Sequence, residues 1–534
     1  MSRAERRWLA AAVALALIAF NAPHVVGLLR ASPESPYTGA LFFPADVFSY
    51  YAKMRLGAGG EWLFRDRYAV EPHARLPIYL PYLLLGRLAA ALAGGGARVP
   101  AGALVVVYHA ARALLGAALL VQLYRVGALL LSDVTQRRLA WVLLVFGGGV
   151  GWLAVLLTGD PLVLGGPYDL YLGEAASLIP LLVLPHVVLG RLAVLSGLLC
   201  FVRAVEEGRL RPAVGAGAWW LLAAAAVPFH IVTAGGIVIG WMVARRATGR
   251  SFPREMLLPA VVAGLPGALL LAAAYVPTIG DPVYTAWQAQ DFRTIGGPLH
   301  LLVGYGVQLL LALPGVYLAL KNHTPRAPLF AGWMAAPPLL ALIPVPVRQR
   351  LIEGWFVPLA VLSVYGAARL LAVRGRWVRG AAIGLWGALS LTGAAALLIG
   401  ALALTAYGDA PAYLDAETAA ALGWLRDHAA SDAVVLSASE TGERLPAYAP
   451  VRALLGHAFE TPYFAQKEGT VSAFFGGGVD DTVRVDVLER WGVDYVYAGP
   501  AEAALTGAGF DPGALPLEVV YSSAYITIYE VTLP

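Results

Sequence analysis

Apolar runs long enough to cross a bilayer fill the chain from Trp8 to Leu404, and the basic residues between them gather in short loops. A spanning helix needs about 20 apolar residues, because about 1.5 Å of rise per residue must cover about 30 Å of hydrocarbon. The first run, Trp8 to Leu29, follows a charged start, Met1-Ser-Arg-Ala-Glu-Arg-Arg7. A cleaved signal peptide carries an apolar stretch of only about 7–15 residues. This longer run therefore reads as an uncleaved first helix with the N-terminus cytoplasmic.

Composition agrees. Hydrophobic residues make up 59% of the 534 and charged residues only 13%, against about 25% charged in soluble domains. The net charge of +4 is small and follows the loops, so it reports topology and argues against nucleic-acid binding. Cys200 is the only cysteine, which excludes an internal disulfide and a cysteine-based metal centre.

Basic loops occur at Gln136-Arg-Arg138, Arg203 to Arg211, Arg245 to Arg254, Lys321 to Arg326 and Arg374 to Arg379. Placing all five in the cytoplasm gives spans near 101–131, 139–158, 178–204, 213–227, 228–244, 256–277, 300–320, 328–345, 354–372 and 380–406. With the first helix this makes about eleven transmembrane helices, the pair around Val227-Pro-Phe-His230 being a full crossing or a re-entrant hairpin. The same parity keeps Leu76 to Ala93 from crossing, since Arg137 and Arg138 would otherwise lie outside. Interrupted by Pro77, Pro81 and Arg87, it is expected to lie along the outer surface; the alternative is a true span with 101–131 folded as two short ones.

After Leu404 polar residues return, and helical patterns such as Glu417 to His428 alternate with short apolar runs such as Ala433-Val-Val-Leu436 and Tyr525-Ile-Thr-Ile-Tyr529. That alternation predicts a small α/β domain. The expected fold is thus a polytopic α-helical membrane domain over 1–407, with a large first outer loop over about 30–100, and an extracytoplasmic α/β domain over 408–534. The expected location is the plasma membrane, which the chain would cross many times.

Most of the hydrophobic part is poor in acids, so the polar, aromatic stretch after the first helix stands out. It reads Pro44-Ala-Asp-Val-Phe-Ser-Tyr-Tyr-Ala-Lys53, Trp62-Leu-Phe-Arg-Asp-Arg-Tyr68 and Glu71-Pro-His73. Charges at a membrane boundary are costly and mark candidate sites. Further candidates are Glu174 and His186, and Arg348, Arg350 and Glu353, which fall on the outer side against the positive-inside trend. Each has a plainer reading. Asp46 is a favoured N-cap for a helix starting at Val47. Glu71 and His73 read equally as a loop anchor, Arg65-Asp-Arg67 as a salt-bridged turn, and Pro185 as a kink that explains His186. Arg350 can pair with Glu353 at i,i+3, and His109 and Arg112 can snorkel to the interface. Gly147-Gly-Gly149 and Gly476-Gly-Gly478 lack the Lys-Ser/Thr of a phosphate loop.

Taken in order, these segments resemble the GT-C glycosyltransferases, particularly the dolichyl-phosphate-mannose and aminoarabinose transferase-like members. The resemblance rests on Asp46-Val-Phe-Ser-Tyr50, Trp62-Leu63, Glu71-Pro-His73, Glu174 with Pro185-His186, and Arg348-Gln-Arg350 with Glu353-Gly354. In the tail it includes Trp424-Leu-Arg426, Gly456-His457 and Gly492-Val-Asp-Tyr-Val-Tyr-Ala-Gly-Pro500. It implies a membrane enzyme that moves a hexosyl or pentosyl group from a polyprenyl-phosphate donor to a glycan, lipid or protein acceptor at the outer face. Asp46 would be the general base, with Glu71, His73, Glu174, His186, Arg348 and Arg350 binding substrate around one cavity. A base must take the acceptor proton, and arginine suits a departing phosphate because its planar fork stays charged. Asp46 is followed by Val, so the paired-acid signature of some members is absent. The need for a divalent cation is therefore unknown, with Asp46, Glu71 and His73 as its ligands if one binds. Other classes compatible with the composition are a lipid-linked sugar flippase or other transporter, which would more often show internal repeats, and a non-catalytic envelope assembly protein.

Overall fold

The computed structural model describes residues 1–249, 254–290, 296–408, 410–476, 478–506 and 511–533. The middle of the basic loop Arg245 to Arg254, and Gly477 of the second glycine triplet, lie outside them. The chain divides into two compact units, one of Met1–Pro23, Ala111–Ala272 and Phe292–Ala403, the other of His24–Ala110, Ala273–Asp291 and Leu404–Pro534.

Among the described residues, seven helices are long and apolar enough to cross a membrane: Arg3–Arg30, Ala101–Gly127, Pro185–Glu207, Arg254–Thr278, Pro298–Lys321, Arg348–Leu370 and Arg376–Tyr407. The pair Val134–Phe146 and Gly151–Thr158, bent by 45°, makes an eighth if it is one broken span. Three more expected spans appear as the helices Leu210–Ala226, His230–Ala247 and Ala327–Leu340, which are shorter or end in arginines. The expected span 178–204 is two helices, Leu178–Val183 and Pro185–Glu207, because Pro185 has no N–H to continue the first. The expected break at 227–229 is present.

Small residues bring these helices together, as expected where lipid gives no hydrophobic drive for helix association. A Cβ on Gly240 would stand 2.5 Å from the Gly332 carbonyl oxygen, joining His230–Ala247 to Ala327–Leu340, and one on Gly315 would stand 2.1 Å from the Leu362 oxygen. Arg112 shows why a charge survives here. It donates to the Leu181 carbonyl and, at 2.7 Å, to Asn21 Oδ1. It is buried, so it does not snorkel.

The second unit is built on a five-stranded sheet of β1 (Val434–Leu436), β2 (Arg452–Ala453), β3 (Tyr495–Ala498), β4 (Leu517–Ser522) and β5 (Thr527–Val531), in the order β2-β1-β3-β5-β4. β1 runs parallel to β2 and β3, while β5 is antiparallel to β3 and β4. Successive side chains of a strand point to opposite faces. Accordingly Val434 and Leu436 pack with Val471, Phe474 and Leu488, and Val435 packs with Leu422, Leu425 and Ile528. Ala52 and Tyr68 belong to that second cluster, and the Ala453 N–H donates to the Arg67 carbonyl at 3.0 Å. The stretch after the first helix is thereby packed on the sheet.

Leu80–Ala93 is the helical part of the expected surface segment. Its 14 residues rise about 21 Å. It packs against Pro44–Ala58 backbone to backbone: a Cβ on Gly57 would lie 2.0 Å from the Leu83 oxygen, and one on Gly86 would lie 1.7 Å from the Met54 oxygen. Gly86→Val is therefore expected to lower stability by about 1–3 kcal/mol in thermal unfolding of the purified protein. Gly423→Ala, on a helix face with nothing within 4 Å, should leave it unchanged or raise it by up to about 1 kcal/mol.

Candidate active site

Helix Pro44–Ala58 starts abruptly. Phe43 takes a left-handed conformation (φ 52°) and Pro44 opens the first turn, where its missing N–H costs nothing. The N-cap is Phe43, so the capping role does not fall to Asp46; it sits inside the first turn, where the helix dipole favours an anion. Asp46 Oδ1 lies 3.2 Å from His457 Nε2, and the two side chains differ in access, 44% exposed for Asp46 against 5% for His457. The backbone N–H groups of Phe459 and Glu460 point at His457 Nδ1 from 3.3 and 3.2 Å. In the neutral ring these leave the proton on Nε2, aimed at Asp46. Burial alone would lower the His457 pKa, but the hydrogen bond to Asp46 and the charges of Glu460 and Asp46 outweigh it and hold the group above its ordinary value. The result is a half-exposed carboxylate backed by a buried, oriented imidazole.

Behind this pair is a buried ionic knot. Lys53, on the same helix, donates to Glu460 at 2.8 Å, and both are almost fully buried. Ser49 donates to Glu460 at 2.8 Å and accepts from Lys53. The ammonium also lies 4.3 Å from the Tyr79 ring centre, a cation–π contact. Burial would raise the Glu460 carboxyl, yet Lys53, His457 and the hydrogen bond from Ser49 bring it below its ordinary value. Asp66 is the opposite case. It is buried, its Oδ1 accepts the Tyr68 N–H at 2.8 Å and its Oδ2 has no partner. Burial, reinforced by the charge of Glu460, raises its pKa above the ordinary 3.8.

The neighbouring candidates serve the loop. His73 Nδ1 donates to the Glu71 carbonyl at 2.8 Å, and Nε2 accepts the Asp66 N–H at 3.0 Å; burial lowers its pKa despite the bond to the Glu71 carbonyl. Glu71 pairs with buried Lys467 at 2.9 Å. Arg65 and Arg67 do not pair with Asp66 between them, as a salt-bridged turn would; both reach Asp432, because Asp66 turns inward. Asp46, Glu71 and His73 do not make a ligand set as they stand, since both nitrogens of His73 are engaged by backbone and Glu71 by Lys467. Among the described residues no three His, Cys, Asp or Glu side chains are grouped to hold a metal ion.

Glu174, His186, Arg348 and Arg350 belong to the first unit. Arg191, one and a half turns into Pro185–Glu207, joins the loop bearing Glu174 to Glu353. It grips Glu353 with two hydrogen bonds of 2.6 and 2.8 Å and donates to the carbonyls of Ala176 and Glu174 at 2.8 and 3.1 Å. Glu353 thus has Arg191 as a bidentate partner, whose planar fork satisfies both carboxylate oxygens at once. Glu174 is buried, and burial raises its pKa against the opposing charge of Arg350. Arg348 and Arg350 lie on the turn Arg348–Ile352 that leads to Glu353. His186 is a buried residue of the first turn after Pro185; Pro185 starts that helix and does not kink it.

Neither a family model nor a curated protein sequence matches the chain. Solved structures do. The archaeal oligosaccharyltransferase AglB of Archaeoglobus fulgidus, in complex with an inhibitory peptide and a dolichol-phosphate, superposes with a TM-score of 0.59 at 13% identity, over 100% of this chain and 75% of that one. ArnT from Cupriavidus metallidurans, bound to undecaprenyl phosphate, gives 0.50 at 15% identity, over 98% and 97%. The Archaeoglobus enzyme in complex with Zn and sulfate gives 0.51 at 14%, over 91% and 69%. The chain has their fold. The fold expected from the sequence resemblance is thus supported across nearly the whole length, with apolar helices of spanning length and a small C-terminal sheet.

Lys53, Glu460, His457 and Arg191 had no assigned role in the sequence, and Asp66 only that of a salt-bridged turn. Arg191 left a signal, an arginine inside an apolar run, and Lys53 and His457 fell inside quoted motifs. Glu460 left none, since its partner is 407 residues away.

Two outcomes are expected. Lys53→Met or Glu460→Gln alone should cost about 3–5 kcal/mol by leaving a buried group unpaired, and the double variant should cost less than the sum in a thermal-unfolding cycle. Asp66 is neutral when folded and ionised when unfolded above its ordinary pKa, so the folded state holds the extra proton and its stability contribution falls as pH rises from about 4. The stability of the wild type minus that of Asp66→Asn should therefore decline from pH 5 to pH 8 in unfolding midpoints; a flat difference would show Asp66 ionised in the fold.

Proposed function

We propose that this protein transfers a sugar from a polyprenyl-phosphate donor to an acceptor hydroxyl or amide at the outer face of the membrane, with Asp46 as general base. The observation that carries the reading is the pairing of half-exposed Asp46 with buried His457. The base is open to an acceptor on one side and oriented by a fixed donor on the other, as proton abstraction requires. The fold it shares with AglB, solved with a dolichol-phosphate, and with ArnT, solved with undecaprenyl phosphate, supports a polyprenyl carrier.

In the reaction the acceptor atom bonds to the anomeric carbon, the bond from that carbon to the phosphate oxygen breaks, and the acceptor proton passes to Asp46. The leaving phosphate gains charge, which Arg348 and Arg350 are assigned to hold. Arg191, through Glu353 and the carbonyls of 174 and 176, is a positioning residue for that turn. Glu174 and His186 are assigned to the sugar or acceptor, and Glu71 and His73 to the loop that carries Asp66 and Tyr68. The topology that goes with this reading has eleven spans, a cytoplasmic N-terminus and an outward-facing 408–534.

Purified protein in nanodiscs, given a panel of polyprenyl-phosphate sugars, tests the assignments. Asp46→Asn should lower turnover by about 10²–10⁴-fold with an unchanged unfolding midpoint. Arg350→Gln should act mainly on donor affinity. Full transfer by Asp46→Asn would remove the base assignment, and a chelator arm decides whether a divalent cation is needed.

A further inference from the structure

The first unit holds a second basic site that the transfer reaction does not use. Gln122 and Arg125 lie in the last turns of Ala101–Gly127, Arg203 and Glu206 in the last turns of Pro185–Glu207, and Arg326 at the start of Ala327–Leu340. Together they line a cavity of about 340 Å³, walled on its apolar side by Leu199 and Trp219. Arg326 is bound to Glu206 through two hydrogen bonds of 2.6 and 3.0 Å and to the Leu129 carbonyl at 3.2 Å, which fixes its guanidinium at the rim. Arg203 pairs with Glu207 at 3.4 Å on the exposed surface. Three arginines against Glu206 in the lining and Glu207 beside Arg203 leave a net positive charge of one.

Its position along the helix Pro185–Glu207 separates it from Arg191 within the same unit. From Arg191 to Arg203 is 12 residues, or about 18 Å of helix, and from His186 to Glu206 is 20 residues, or about 30 Å, the depth of a hydrocarbon layer. The cavity therefore sits at the opposite end of Pro185–Glu207 from Arg191 and Glu353. There, positive charge over an apolar wall matches a phosphate attached to acyl chains, because arginine forks a phosphate while tails lie along Leu199 and Trp219.

We propose that this cavity binds the phosphodiester headgroup of an anionic glycerophospholipid of the surrounding bilayer, with Arg125 and Arg203 on the phosphate and Arg326 as a fixed rim. Free phosphate shares the charge but cannot use the apolar wall.

Cys200 lines the same cavity and is the only cysteine of the chain, so it reports occupancy without a label being engineered. The test measures the rate of maleimide reaction at Cys200 in nanodiscs of phosphatidylcholine alone, in nanodiscs containing phosphatidylglycerol, and in phosphatidylcholine with inorganic phosphate. At an anionic lipid level ten times its apparent Kd, the rate should fall about tenfold. Arg125→Gln/Arg203→Gln should lose that protection while keeping the phosphatidylcholine rate and sugar transfer. Equal rates in all lipids, or equal protection in the double variant, would overturn the proposal. Protection by inorganic phosphate to the same degree would overturn the lipid as occupant. Sugar transfer is read in the same samples, so failure here is distinguishable from failure of the Asp46 assignment.

Discussion

The second unit depends on the buried pair of Lys53 and Glu460. Two charges removed from water are tolerable only when each finds the other and the remaining lone pairs and protons are satisfied. Here Ser49 and the Tyr79 ring complete that satisfaction. Because Lys53 is two turns along the helix that begins beside Asp46, and Glu460 follows His457 by one turn, the pair sets the spacing at which Asp46 meets the imidazole. The backbone at 459 and 460 then aims the ring. One ionic contact thus joins the stretch after the first helix to the C-terminal segment and orients the candidate base.

Arg191 plays the corresponding part in the first unit. A lone arginine in an apolar helix would be expensive, but its five donors are spread over Glu353 and the carbonyls of the 173–177 loop. The loop bearing Glu174 and the turn bearing Arg350 are thereby tied to a single helix. Buried polar groups elsewhere follow the same rule, with Arg112 on Leu181 and Asn21 and Arg55 on the carbonyls of Ala97, Val99 and Ala447.

Much of the helical pattern was legible because period and length are local. The break at Val227-Pro-Phe-His230 and the apolar runs near 101, 300, 354 and 380 appear where hydropathy placed them. At Pro185 the sequence suggested a kink within 178–204, whereas the missing N–H divides the run into two helices. In the candidate site, Asp46 was legible by its setting. His457 and Glu460 were not, because contacts across 407 residues or more leave no periodic trace. For Glu71 and His73 the sequence left a loop anchor and a substrate site equally open, and packing showed His73 bonded to its own loop and Glu71 to Lys467.

By itself the sequence determined the class of the molecule: apolar runs of bilayer length with basic loops leave no soluble alternative, and alternating patterns after Leu404 call for a sheet with helices. Those conclusions follow from hydrophobic burial and from the backbone's need for hydrogen bonds, both readable within a few dozen residues. The tertiary structure alone decided which charges face each other. It set Asp46 against His457, Lys53 against Glu460 and Arg191 against Glu353, because the energy of a buried charge depends on what lies within a few ångströms in space and not on its neighbours along the chain.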